Sequence, residues 1–123
     1  MSNSIKLPHD HGNKISEHFT VHSPDVNTIT QVADTMKQLG DPSRLRIFWI
    51  LCHTEECVTD IAALVDMSSP AVSHHLRILK SAGLITSRRD KKEMLYKASD
   101  TEMAKALHIA IETMAHIACP QIK

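Results

Sequence analysis

The sequence predicts a mainly α domain (an α+β arrangement in the order α-α-α-α-β-β-α), and three observations carry that prediction. Apolar residues recur at helical spacing in four stretches between residues 25 and 82 and in a fifth near the C-terminus. Three glycines in 123 residues are too few for the tight turns of an all-β fold. Two short β-leaning runs joined by a charged turn stand between the fourth and fifth helical stretches. The length suits one compact domain. Because 42% of residues are hydrophobic but only 3% aromatic, the core has to be aliphatic.

Residues 1–24 are polar and aperiodic and contain His9, His11, His18 and His22, so they read as a flexible arm. Residues 25–119 read as the folded domain and 120–123 as a short tail. Val26, Ile29, Val32, Ala33, Met36 and Leu39 give the first helix, with Gly40 as its stop. Asp41-Pro42-Ser43 opens the second, carried by Leu45, Ile47, Phe48, Ile50 and Leu51. After a break at His53–Glu56, a short third helix starts near Thr59, its expected N-cap, with Ile61, Ala62, Leu64 and Val65 as the apolar side. Ser68-Ser69-Pro70 combines cap hydroxyls with a first-turn proline and starts the fourth, which stops at Gly83. Residues 84–88 and 94–98 form a hairpin with a basic tip, and a last helix runs from about Asp100 to Ala118, ended by Pro120.

Formal net charge is zero, but its distribution is uneven. Between Ser68 and Lys97 seven basic residues face two acidic ones. Such a stripe is either a footprint for a polyanion or a solvated face. No apolar run approaches the roughly 20 residues of a membrane span, and the N-terminal stretch has no secretory apolar core. Three cysteines, an odd number, do not make a disulfide framework; a cytoplasmic protein with reduced thiols able to bind metal is expected.

Helices at Thr59–Val65 and Ser69–Ala82, joined by a turn of three or four residues, make a helix-turn-helix candidate. A recognition helix turns its N-terminal residues toward base edges in the major groove. Here those are Ser68, Ser69, Ala71, Val72, Ser73, His74 and His75, with Arg77 one turn on, while the side carrying Val72, Leu76 and Leu79 faces the protein. The hairpin tip, with Arg88, Arg89, Lys91 and Lys92, suits phosphate or minor-groove contact, as a wing would. The expected architecture is a winged helix-turn-helix.

From about Val32 to Cys119 the chain closely resembles the ArsR/SmtB family of metal-responsive repressors. The resemblance rests on the runs Leu39-Gly40-Asp41-Pro42-Ser43-Arg44-Leu45-Arg46-Ile47, Glu56-Cys57-Val58-Thr59-Asp60-Ile61-Ala62 and Ser68-Ser69-Pro70-Ala71-Val72-Ser73-His74-His75-Leu76, together with the basic hairpin and Tyr96. It implies a homodimer joined through its first and last helices, bound to double-stranded operator DNA and released by an inducer. The family commonly has glycine at the wing turn where this chain has Asp90-Lys91-Lys92. Lysine at positive φ is uncommon, which points to another turn type.

The resemblance also implies where an inducing metal would sit. One family site is a Cys-x-Cys-x-x-Asp stretch on the third helix. This chain keeps Cys57 and Asp60, replaces the second cysteine with Thr59, and adds Cys52 with His53 beside it; the arm could contribute His18 or His22. Two thiolates with imidazole or carboxylate suit Zn²⁺ or Cd²⁺ as inducer, with no organic cofactor. Cys52 is equally well read as a small hydrophobe closing the second helix. A second family site, aligned on Asp100, falls on Asp100, Glu102, Thr113 and His116, where threonine is a poor ligand. On the same helix, with His108 as zero, Cys119 falls at about 20°, Glu112 at about 40° and His116 at about 80°. That stripe is either the solvated face of a dimerisation helix or a site shared with the Cys52–Cys57 region.

A regulator of the same fold could respond to thiol oxidation, through Cys52 and Cys57, or to no small molecule. A purely electrostatic nucleoid protein would show a steep salt slope and little sequence preference. An enzyme using Cys119 with His116 or Glu112 is disfavoured, since neither a Gly-rich phosphate loop nor a Ser-elbow motif is present.

Overall fold

The computed structural model describes residues 8–9 and 23–116. In chain order its elements are α1 (Val26–Gln38), α2 (Pro42–Leu51), β1 (Glu56–Cys57), α3 (Val58–Val65), α4 (Ser69–Ser81), β2 (Ile85–Asp90), β3 (Glu93–Ala98) and α5 (Glu102–Ala115). The arm at residues 1–24 lies outside the described residues apart from Pro8, His9, Ser23 and Pro24, as do Cys119, Pro120 and the tail. Among the described residues no helix is long and apolar enough to cross a membrane.

By Cα proximity the chain divides into residues 1–34 and residues 35–123. In the first part, α1 opens on Asp25, whose Oδ1 accepts from the Thr28 N–H at 2.7 Å, and Val26 and Ile29 are exposed. In the second part, α2 starts on Asp41, which accepts from the Arg44 N–H at 2.9 Å, with Pro42 in the first turn. Two other helices repeat the device: Ser68 Oγ accepts from the Ala71 N–H, and Thr101 Oγ1 from the Ala104 N–H. Helix α3 begins one residue before the expected Thr59. Its N-cap is Cys57, with no side-chain cap bond, because that residue is already held in β1. Asp66, at φ 53°, turns the chain from α3 into α4.

Gly83 ends α4 at φ 76°. Its N–H bonds the Lys80 carbonyl and the Leu84 N–H reaches back to Leu79, both at 3.0 Å, a Schellman closure that also drops Leu84 against the core. The sheet is antiparallel in the order β1-β3-β2. Its third strand, β1, was not expected; Glu56 pairs with Tyr96 and Cys57 with Leu95. At the wing tip Asp90 pairs with Glu93, leaving Lys91-Lys92 as a two-residue turn with Lys91 at φ 58°. This corrects the expected turn type: so tight a hairpin needs a left-handed residue, and lysine adopts that conformation here.

The core is aliphatic around one aromatic ring. Ile47, Phe48, Ile61, Val72, Leu76, Leu79, Leu84 and Ile85 are all at most 2% exposed. They bring α2, α3, α4 and β2 into one cluster, with Ala104 of α5 at its edge.

Candidate nucleic-acid interface and ligand cluster

Helix α4 is two-faced, and the split fixes which of its residues face outward. Val72, Leu76 and Leu79 point into the core, leaving Ser68, Ser69, His74 and Arg77 exposed and Ala71 and Ser73 half-buried. Two of the expected DNA-facing residues are therefore reassigned: Val72 is fully buried, and His75 is 8% exposed. Positions 72, 75, 76 and 79 form the i, i+3, i+4, i+7 stripe of a buried helix face, so that pattern marks His75 as inward.

His75 takes part in a polar latch. Arg44 Nε donates to its Nδ1 at 3.3 Å, its Nε2 stands 3.9 Å from Asp41 Oδ1, and Arg44 Nη1 donates to the Gln38 carbonyl at 2.9 Å. The accepting Nδ1 places the ring proton on Nε2. Burial holds His75 below the ordinary imidazole range, against the opposing pull of Asp41. The Arg44 N–H in turn holds the Asp41 carboxyl below the usual carboxylate range. Arg44 thus joins the start of α2 to the recognition helix, a role that its place in the Leu39–Ile47 run does not reveal.

On the wing, Arg89, Lys91 and Lys92 are exposed. Arg88, expected at phosphate, forks onto Glu55 instead, with Nε and Nη2 donating at 2.8 and 2.7 Å. That pairing raises the Arg88 pKa and lowers that of Glu55. Lys80 Nζ donates to Ser87 Oγ at 2.6 Å, tying α4 to β2. The exposed hydroxyls and imidazole of α4 and the exposed wing cations are groups of the kinds that meet base edges and phosphates.

Among the described residues, one group of three metal-capable side chains converges: His53, His108 and Glu112. The two Nε2 atoms are 3.1 Å apart. Glu112 Oε1 is 3.2 Å from His108 Nε2, and its Oε2 is 3.5 Å from His53 Nε2. Helical spacing presents His108 and Glu112 together, and the Trp49 ring, 4.6 Å from that of His53, packs against the third member. Burial, reinforced by the facing His108, holds His53 below the ordinary imidazole range although Glu112 pulls the other way. His53 was noted in the sequence only as a neighbour of Cys52; it lies 55 residues from His108, beyond the reach of any local pattern.

The other expected ligands among the described residues are not members of this group, although Cys52 and Asp100 line one pocket with His53 and His108. Cys57 is a buried thiol at the edge of the sheet, Cys52 is half-buried, and Asp60 is exposed on α3. His116, expected on the α5 stripe, is exposed in the left-handed residue that closes the helix, at φ 55°. Asp100, aligned with the second family site, pairs with Lys105 at 3.0 Å, and Thr113 Oγ1 donates to the Ile109 carbonyl.

Residues 41–87 match the model of the bacterial regulatory protein, arsR family. The HTH-type transcriptional regulator NmtR of Mycobacterium tuberculosis is 38% identical over 93 residues, covering 76% of this chain and 78% of its own. The cadmium resistance transcriptional regulatory protein CadC of Listeria innocua is 31% identical over 109 residues, covering 80% and 92%. Among solved structures, the homodimeric winged helix-turn-helix DNA-binding domain of Mb0332 from Mycobacterium bovis is 25% identical, with a TM-score of 0.65 over 89% of this chain and 91% of its own.

Proposed function

Because the chain belongs to the arsR family of bacterial regulatory proteins, we propose that it is a transcriptional repressor that grips operator DNA as a homodimer and leaves it on binding a Zn²⁺- or Cd²⁺-type ion. The observation that carries this reading is α4, whose exposed Ser69, His74 and Arg77 stand opposite a fully buried Val72–Leu76–Leu79 face. A 13-residue helix is about 20 Å long and fits lengthwise in a major groove. Arg89, Lys91 and Lys92 at the wing supply the sequence-independent grip.

Exposed apolar side chains support a second copy of the chain. Val26, Ile29 and Met36 on α1, and Met103, Ile109 and Met114 on α5, are 40–80% exposed. A two-fold axis would set two recognition helices about one DNA turn, roughly 34 Å, apart. A coupling of about 3 kcal/mol between ion and DNA would weaken operator binding by about 150-fold, enough to clear a promoter.

A mobility-shift titration with the DNA upstream of the protein's own gene tests the reading. The expected result is a sequence-selective complex that Zn²⁺ or Cd²⁺ dissolves. Binding without sequence preference and with a steep salt slope would overturn it in favour of electrostatic coating of DNA.

A further inference from the structure

We infer that His53, His108 and Glu112 of a single protomer form a three-ligand site for a borderline divalent cation of the Zn²⁺ type, joining the chain just beyond α2 to α5. Zn²⁺ bonds of 2.0–2.1 Å at a tetrahedral angle hold neighbouring donor atoms about 3.3 Å apart. The two Nε2 atoms are 3.1 Å apart, and the Glu112 carboxylate offers Oε1 at 3.2 Å to His108 and Oε2 at 3.5 Å to His53, so the imidazole pair matches tetrahedral spacing and either oxygen of the carboxylate stands within reach as the third donor.

The polar balance of the cluster also calls for a cation. Glu112 Oε2 is buried with no hydrogen-bond partner, and a desolvated carboxylate is costly without compensation. The two Nε2 atoms point at each other, so in a metal-free cluster one must donate to the other while the carboxylate competes for the same proton. A cation between them converts three competing acceptors into three ligands. Two imidazoles and one carboxylate favour Zn²⁺, Co²⁺ or Ni²⁺ over Mg²⁺ or Ca²⁺, and the lack of a thiolate disfavours Cd²⁺. His53 and His108 also line a pocket of about 410 Å³, together with Cys52, Glu55, Lys97 and Asp100. That pocket gives a path from solvent and room for water as the fourth ligand.

Binding at this site stands on its own geometry, whereas its effect on DNA rests on the repressor reading. The test uses the whole protein, stripped with a chelator and titrated with Co²⁺, whose visible absorption reports tetrahedral coordination, followed by displacement with Zn²⁺. His53→Ala, His108→Ala and Glu112→Gln each remove one ligand, and Asp60→Asn removes an exposed carboxylate outside the trio. Operator binding without metal checks that each variant is folded; Glu112→Gln keeps the side-chain volume and serves if either alanine variant is not.

The expected result is a tetrahedral Co²⁺ spectrum in the wild type and in Asp60→Asn. Zn²⁺ affinity should fall by about 100-fold or more in each ligand variant, beyond the 10–100-fold typical of losing a residue that only supports a ligand. No tetrahedral spectrum in the wild type, or ligand variants within about 10-fold of it, overturns the site. If the Zn²⁺ affinity of Glu112→Gln falls as expected and Zn²⁺ still releases operator from it as from wild type, the site stands and metal-released repression runs through other ligands. If the ion binds as expected and operator affinity does not change, the site stands and the release mechanism falls.

Discussion

Arg44→Ala removes the residue that latches α4 to the start of α2. It deletes a hydrogen bond to His75 Nδ1 at 3.3 Å and another to the Gln38 carbonyl at 2.9 Å, and leaves the 8%-exposed His75 with an unpaired nitrogen. Hydrogen bonds from a charged group contribute about 1.5–3 kcal/mol each, but Arg44 is half-buried and the His75 bond is long, so the lower end applies. A loss of about 3 kcal/mol is expected, about 1.5 kcal/mol for each bond. With a urea slope of about 1–3 kcal/mol/M, the unfolding midpoint should fall by about 1–3 M at fixed protein concentration. Arg44→Lys should recover only part of this, since an ammonium cannot fork between the two acceptors. A cycle with His75→Gln isolates the latch, and a coupling near 1 kcal/mol is expected. If Arg44→Ala lies within about 0.5 kcal/mol of wild type, or the two substitutions are strictly additive, the latch does not hold the recognition helix.

Three further outcomes follow from the same geometry. Arg77→Ala should cost about 1–3 kcal/mol of operator affinity and leave the melting temperature unchanged, whereas Lys91→Ala with Lys92→Ala should flatten the slope of log affinity against log salt by about 2; mobility shifts at several salt concentrations separate the two. Lys91→Gly should stabilise the fold by about 0.5–1 kcal/mol in thermal melts, because φ is 58° there, and no gain would show that the turn is unstrained. His75 and His53 are both held neutral below the ordinary value of 6.5, so on acidification the unfolded chain takes up protons first: stability is full above pH 6.5 and declines as pH falls below it. Urea midpoints between pH 7 and 5 should show that decline, with a smaller slope in His75→Gln and a residual one from His53; an unchanged slope would remove His75 from the account.

Local signals made most elements legible. Asp41-Pro42, Ser68-Ser69-Pro70 and Gly83 are side-chain or backbone devices that act within four residues, and each works where the sequence places it. The strand β1 was invisible because two residues cannot show alternation; its pairing with β3 makes it a strand. Thr59 resembled a cap, but Cys57 was already extended in the sheet, so the cap falls two residues sooner and the helix starts at Val58. Adjacent His74 and His75 look alike in sequence and differ by 100° on the helix, which puts one outside and the other among Val72, Leu76 and Leu79. For the ligand cluster, the His108–Glu112 pair was readable because it is helical; His53 was not, because the fold alone brings it across from the end of α2. Arg88 joined the DNA-facing set on charge, and its fork onto Glu55, 33 residues earlier, is a pairing that no local pattern shows.

The Glu55–Arg88 fork makes the wing and the cluster parts of one tether. His53 and Glu55 are separated by a single residue, so even fully extended chain leaves no more than about 7 Å between them. One end is set by His108 and Glu112 on α5, the other by the guanidinium on β2. So short a tether has little slack: a shift of His53 would carry Glu55 with it, and with Glu55 the Arg88 guanidinium on β2, a route separate from the close-packed interior of Ile47, Phe48 and Leu76.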